Sequence, residues 1–164
     1  MSEPSARLLR VRLDADLWAN APRERRVEWR AAVRDLLDGH RFDTPGPPFE
    51  LAVSCADAAG RLEARDGEAV LFVIAVPAER LRPHLDEYLE VCRKMAKLGG
   101  GRPTAPRLEA FDIAKRIIHD EAAETLLEIC RELRPDHATC RRLFTLLVTL
   151  HVDTTRLFVA HHRR

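Results

Sequence analysis

Along the first half of this chain, short apolar runs alternate with polar residues in twos. Along the second half the spacing widens to the three-and-four rhythm of a helix. Leu8-Leu9-Arg10-Val11-Arg12-Leu13 mixes apolar and basic positions and predicts a strand. A helix follows over roughly Ala21 to Asp38, with Asn20 as its cap, Pro22 in its first turn and Gly39 just past its end. Trp29, Val33, Leu36 and Leu37 fall at i, i+4, i+7 and i+8 and form its buried stripe. After a Pro45-Gly46-Pro47 loop, Phe49, Leu51, Val53 and Cys55 alternate with polar or small residues, as a half-exposed strand does. Ala58-Ala59-Gly60 turns the chain into a short strand, Arg61 to Arg65, and Asp66-Gly67 is a two-residue hairpin signal. Residues Ala69 to Val76 are all apolar, which predicts a strand central in the sheet.

From Pro77 onward, Leu81, Leu85, Tyr88, Leu89, Cys92, Met95 and Ala96 share one helical face, and Pro83 is tolerable only near the start. Gly99-Gly100-Gly101 opens the one flexible linker. Thr104 caps a long helix, about Ala105 to Leu133, with Phe111, Ala114, Ile118, Ala122, Leu126, Ile129 and Leu133 as its stripe. Arg134-Pro135 breaks it, and Asp136 caps a last helix running from His137 past His151. That helix is apolar nearly all round, which predicts burial inside the domain. The pattern implies an α+β chain of one domain over residues 1–164. A small, mainly antiparallel sheet with one helix (1–76) packs on a helical half of three helices (77–164).

Composition narrows the function classes. The 164 residues are 46% hydrophobic and 32% charged, which excludes a disordered, collagen-like or disulfide-stapled chain. With 27 Lys and Arg against 26 Asp and Glu the net charge is +1, so nothing marks a general polyanion binder. All basic residues but Lys94, Lys97 and Lys115 are arginine, a bias that a GC-rich genome explains without function. No apolar run approaches the roughly 18 residues of a membrane helix, and no signal-peptide pattern opens the chain. Cys55, Cys92, Cys130 and Cys140 stand far apart and match no zinc or redox spacing, so they read as buried free thiols in a reducing cytoplasm.

Standard catalytic motifs are missing: no phosphate loop, no His-Glu-x-x-His, no Gly-x-Ser-x-Gly. One polar cluster remains. Asp112, Arg116 and His119 lie at i, i+4 and i+7 on the long helix, and the last helix adds Arg141, Arg142, Thr145 and His151. Asp112 and Arg116 have the spacing of an ordinary ion pair. His151 shares a face with Phe144 and Leu147, as a satisfied core histidine would. Glu121 projects nearly opposite His119, because two residues turn a helix by about 200°. A metal site built on His119, Glu121 and His151 is therefore disfavoured, and no metal or cofactor is predicted.

Phe111-Asp112-Ile113-Ala114-Lys115-Arg116-Ile117-Ile118-His119-Asp120-Glu121 resembles the Ile-Asp-x-x-x-Arg-x-Ile-His-Asn-Glu-Gly signature of the bacterial uncharacterised protein family 0262. Ala138-Thr139-Cys140-Arg141-Arg142-Leu143-Phe144-Thr145-Leu146 through His151 is similar to that family's later Ala-Arg-Arg-Leu-Phe-Thr-Leu run. Asp120 stands where the signature has Asn, and Ala122 where it has Gly. The resemblance implies a bacterial, cytoplasmic protein without an assigned reaction. It also raises the interest of Asp112, Arg116, His119, Glu121, Arg141, Arg142, Thr145 and His151, which all match the pattern.

Three functions compete. The first is a non-enzymatic domain that binds a protein partner or forms a homodimer, showing an apolar face around Leu157 and Phe158. The second is a protein or enzyme for a small anionic ligand, clamped by Arg116, Arg141 and Arg142 with His119 as acid or base. The third, nucleic-acid binding through Arg23, Arg25, Arg26, Arg30 and Arg34, is opposed by the interleaved Glu24, Glu28 and Asp35. The residues rank the first ahead of the second and leave enzymatic activity undecided.

Overall fold

The computed structural model describes residues 5–97 and 104–153. Four strands, β1 (Leu8–Leu13), β2 (Phe49–Ala56), β3 (Ala59–Asp66) and β4 (Ala69–Val76), form one sheet in the order β1-β2-β3-β4. The helices among the described residues are α1 (Ala15–Asn20), α2 (Arg23–Gly39), α3 (Ala78–Lys97), α4 (Ala105–Ile129) and α5 (His137–His151). The α+β class agrees with the apolar pattern, but the sheet is mixed. β1 runs parallel to β2, while β2, β3 and β4 are antiparallel. A parallel neighbour needs a crossover, and α1 and α2 supply it.

Several local expectations shift for identifiable reasons. The first half holds two helices rather than one. The Asp14 carboxylate accepts the Asp16 and Leu17 N–H groups at 2.9 and 3.3 Å, capping a helix too short to show a period. Pro22 then takes the cap position of α2. The β3–β4 turn centres on Gly67-Glu68, one residue beyond the expected pair, because Asp66 still pairs with Ala69. Gly67 has φ of 59°, the left-handed conformation that glycine supplies cheaply. α4 ends at Ile129 rather than Leu133, and a short 3-10 turn, Arg131–Leu133, leads to Arg134 at φ 46°.

β4 is an edge strand, not a central one. Ile74 and Val76 face the helices and are buried, whereas Val70, Leu71 and Val73 are exposed. An all-apolar strand reads the same whether its second face is covered or open, so the composition could not decide this. Outward from β1 to β3 the same sheet face is polar, with Arg12 paired to Glu50 at 3.2 Å and Glu63 held between Arg61 and Arg65.

The helices cover the other face, and α5 lies at the centre of the packing, against α2, α4 and β2. Leu143, Phe144, Leu146, Leu147 and Val148 are all buried, as an all-round apolar helix requires. Gly60 on β3 lets it come close: a Cβ there would stand 3.3 Å from Leu147. Both ends of α5 are tied. The Asp136 carboxylate accepts the Thr139 N–H at 2.8 Å, and Thr139, fully buried, bonds through its hydroxyl to both the N–H and the C=O of Arg41. At the other end, Arg25 donates to the Thr149 and Leu150 carbonyls and the Trp29 indole N–H to Thr149 at 2.8 Å. These satisfy carbonyls that a helix C-terminus leaves without internal partners.

Cys92, Cys130 and Cys140 are buried and Cys55 half-buried, all as free thiols. Burial alone pushes the Cys130 thiol up to about 12, which leaves it protonated and inert. No helix among the described residues is long and apolar enough to cross a membrane. The expected apolar face around Leu157 and Phe158 lies outside the described residues.

Leu146 is fully buried on α5. Leu146→Ala should cost about 2–5 kcal/mol, read as a lower urea midpoint at unchanged slope.

Candidate functional site: a basic groove between α4 and α5

α4 and α5 pack side by side, and a cavity of about 580 Å³ opens along their seam. Asp112, Lys115, Arg116 and His119 line it from α4, and Ala138, Arg141, Arg142 and Thr145 from α5. Six of the eight candidate residues therefore converge. Glu121 and His151 do not line it. Glu121 is exposed on α4 away from the groove, as the helical arithmetic implies. His151 sets its ring between the Leu147 carbonyl, 2.7 Å from Nδ1, and the Ala59 carbonyl on β3, 3.1 Å from Nε2, and its N–H donates to one of them, which places α5 against the sheet. Among the described residues no three His, Cys, Asp or Glu side chains gather to hold a metal ion.

His119 is the most constrained member. Its Nδ1–H donates to the Lys115 carbonyl one turn back at 2.8 Å, and its Nε2 faces the Thr145 hydroxyl at 3.2 Å. The rings of Phe144 and Tyr88 stand edge-on to it, with centroids 5.1 and 5.7 Å away. Burial in this apolar wall is the largest influence on its basicity and holds it below the ordinary 6.5, and the charges of Arg141 and Lys115 act in the same direction. The hydrogen bond to the Lys115 carbonyl opposes them. At neutral pH the imidazole is therefore uncharged, with its Nε2 lone pair on the Thr145 side. The single Thr145 hydroxyl proton goes either to this Nε2 or to the Arg141 carbonyl 3.1 Å away.

The arginines differ in how they are held. Arg142 crosses to α2, where its Nη1 donates to the Gly39 carbonyl at 3.0 Å. Gly39 makes room for it, since a Cβ there would lie 2.5 Å from the guanidinium carbon. Arg141 pairs with Asp120, the carboxylate that replaces the signature's Asn. The expected Asp112–Arg116 pair does not form among the described residues. Arg116 and Lys115 face the groove without a carboxylate partner there. Four cations thus stand against two carboxylates, Asp112 and the rim residue Asp120.

Sequence reasoning missed Lys115 and Ala138. Lys115 sits four residues before His119, so the spacing that lets its carbonyl take the ring proton also places it on the groove face. Ala138 carries no chemical signal; it is small enough to leave the groove open.

This is an α+β protein with a positively charged groove seated on a buried central helix. The chain belongs to the uncharacterised protein family UPF0262, whose family model matches residues 5–153. It is 32% identical to the UPF0262 protein of Novosphingobium aromaticivorans, over 93% of this chain and 99% of that protein. It is also 32% identical to that of Sphingopyxis alaskensis, over 92% and 97% respectively. The Erythrobacter litoralis protein is 31% identical over 89% of this chain and 96% of its own length. No solved structure matches the chain.

His119 titrates lower in the folded state than in the unfolded chain, so the unfolded state binds more protons between the folded pKa and 6.5. Stability should therefore fall as pH drops through that window. His119→Gln should flatten this part of the profile, measured as the difference between wild-type and variant denaturation curves from pH 7.5 to 5.

Proposed function

We propose that the α4–α5 groove binds a small anionic ligand carrying a phosphate or carboxylate group. The observation that carries this is the convergence of Lys115, Arg116, Arg141 and Arg142 on one cavity with Arg116 left unpaired by any carboxylate. This reverses the order in which the residues alone rank the two leading functions. A planar guanidinium can donate in pairs to an anion, and Arg116 is free to do so. Arg142 is already oriented by the Gly39 carbonyl, which reduces the side-chain freedom lost on binding. The neutral His119 supplies a proton acceptor at the groove wall, so a ligand bearing a hydroxyl or a protonated phosphate would find both charge and base. The closed thiols and the absence of a membrane-crossing helix among the described residues support a role in a reducing, aqueous compartment.

Titration calorimetry with inorganic phosphate, sulfate and citrate tests the reading. At least one should bind saturably, with affinity falling as salt rises. Arg116→Gln should weaken it by about tenfold or more, the loss of one charge-assisted hydrogen bond. Saturable binding that Arg116→Gln and Arg141→Gln leave unchanged would remove the groove from consideration.

Gly39→Ala provides a subtler check, because the new methyl meets the end of a flexible side chain rather than the backbone. Arg142 must swing away from the Gly39 carbonyl. Anion affinity should fall severalfold while the urea midpoint changes little.

A specific observation also favours self-association. β4 offers an uncharged edge strand on which Val70 and Val73 are exposed. An antiparallel pairing of two β4 strands about Val73 would keep apolar side chains opposite one another. Sedimentation of wild type against Val73→Lys distinguishes this reading from a monomer.

A further inference from the structure

β1 forms the edge of the sheet opposite to β4, and a cavity of about 800 Å³ runs between it and α2. Its floor is apolar: Val11 and Leu13 from the strand, Val33 and Leu37 from the helix, all half-buried. Val33 and Leu37 belong to the stripe expected to fill the core, yet Trp29, Ala32 and Leu36 take the core and leave these two at its margin. Their half-exposure is what opens the groove.

The backbone of β1 is also open here. The Phe49 N–H donates to the Arg7 carbonyl at 2.9 Å, and the Asp14 N–H to the Val53 carbonyl at 3.1 Å. In a parallel ladder alternate residues bond to one neighbour, so Phe49, Leu51 and Val53 are the β2 residues that serve β1. The β1 residues opposite them, Leu8, Val11 and Leu13, turn their own N–H and C=O to the outer edge. At Leu8 that outward N–H is already filled, by His40 Nε2 at 3.0 Å. His40 is fixed for this by donating from Nδ1 to the Leu37 carbonyl at 2.8 Å. At Val11 and Leu13 no described group answers.

Charge selects the occupant. Arg10, Arg12, Arg30 and Arg34 line the same cavity with Asp38 as the one carboxylate among the lining residues; Arg12 is already paired with Glu50 at 3.2 Å, which leaves Arg10, Arg30 and Arg34. Arg30 is held over the Trp18 ring at 5.1 Å, a cation–π contact that leaves its donors free. A second copy of β1 would bring Arg10 and Arg12 against the same guanidinium groups. Residues 154–164 contain Arg156, Arg163 and Arg164 and no acidic residue, so their charge is also of the wrong sign. A second copy's β4 has no carboxylate between Ala69 and Val76 to offer.

We infer that the β1–α2 groove takes an extended, acidic segment of a partner protein as a fifth strand. Its backbone pairs with Val11 and Leu13, alternate apolar side chains rest on Val33 and Leu37, and its carboxylates meet Arg10, Arg30 and Arg34. This site is separate from the α4–α5 groove and does not depend on it.

The test is fluorescence polarisation of the full chain with a labelled Val-Glu-Val-Glu-Val-Glu peptide and its Val-Lys counterpart, followed by amide hydrogen exchange. The Glu peptide should bind at least tenfold more tightly than the Lys peptide, and the Val11 and Leu13 amides should exchange more slowly in its presence. Val11→Pro removes only an outward donor and keeps the ladder to β2, and it should weaken the Glu peptide tenfold or more. Arg30→Glu combined with Arg34→Glu, both exposed on α2, should reverse the preference toward the Lys peptide even if Val11→Pro fails to fold. The inference is overturned by no Glu-peptide binding at millimolar concentration, by binding that ignores the charge reversal, or by protection confined to the α4–α5 groove. Equal competition by an oligothymidylate would overturn it as well, by replacing strand pairing with simple phosphate attraction.

Discussion

The structure depends on hiding α5. A helix with Leu143, Phe144, Leu146, Leu147, Val148 and Leu150 over most of its circumference cannot leave those side chains in water without a large loss of hydrophobic stabilisation. Every neighbouring element is placed to cover part of it: α2 and α4 flank it, and the sheet lies beneath. Its backbone ends cannot be solvated freely either, so Asp136 and Thr139 close one terminus and Arg25 with Trp29 the other.

The α4–α5 groove is a by-product of that arrangement put to use. Arg141, Arg142 and Thr145 are half-buried polar residues on a largely apolar helix, and they emerge together on the side facing α4. The rings of Phe144 and Tyr88 that complete the core also desolvate His119 and lower its basicity. Packing and site chemistry are coupled through those rings: the same contacts that exclude water from α5 determine which protonation state the groove presents. Gly39 extends the coupling to α2, since only a residue without a side chain leaves room for the Arg142 guanidinium at the helix end.

Much of this was legible in advance because it follows from period and residue type. The helical face of α4 placed Asp112, Arg116 and His119 on one stripe and turned Glu121 away, and the fold keeps both placements. His151 was readable as a core histidine from its apolar neighbours, and its ring does lie against the Leu147 and Ala59 carbonyls. Asp136 was readable as a cap. What could not be read was anything set by a neighbour distant in the chain. The Asp112–Arg116 spacing permits an ion pair, but Arg116 instead faces a cavity that exists only because α5 lies alongside. Arg25 and Arg26 look like members of a basic face, yet they serve the carbonyls of α5 and of Trp18 and Ala19.

The sheet marks the same boundary most clearly. Alternation and turn residues marked strands over Phe49 to Cys55, Arg61 to Arg65 and Ala69 to Val76, because those signals act over a few bonds, although the turn expected at Ala58-Ala59-Gly60 falls at Asp57-Ala58 and β3 starts at Ala59. They did not determine that β4 lies at an edge, that β1 runs parallel to β2, or that Val33 and Leu37 stop short of the core. Those outcomes follow from which surfaces remain after α5 has been enclosed, and burial is a property of the assembled layers. The sequence alone therefore determined most of the elements, α1 excepted, and the chemical character of their faces. Tertiary structure decided which faces meet, which edges stay open, and which of 24 arginines are left to bind something else.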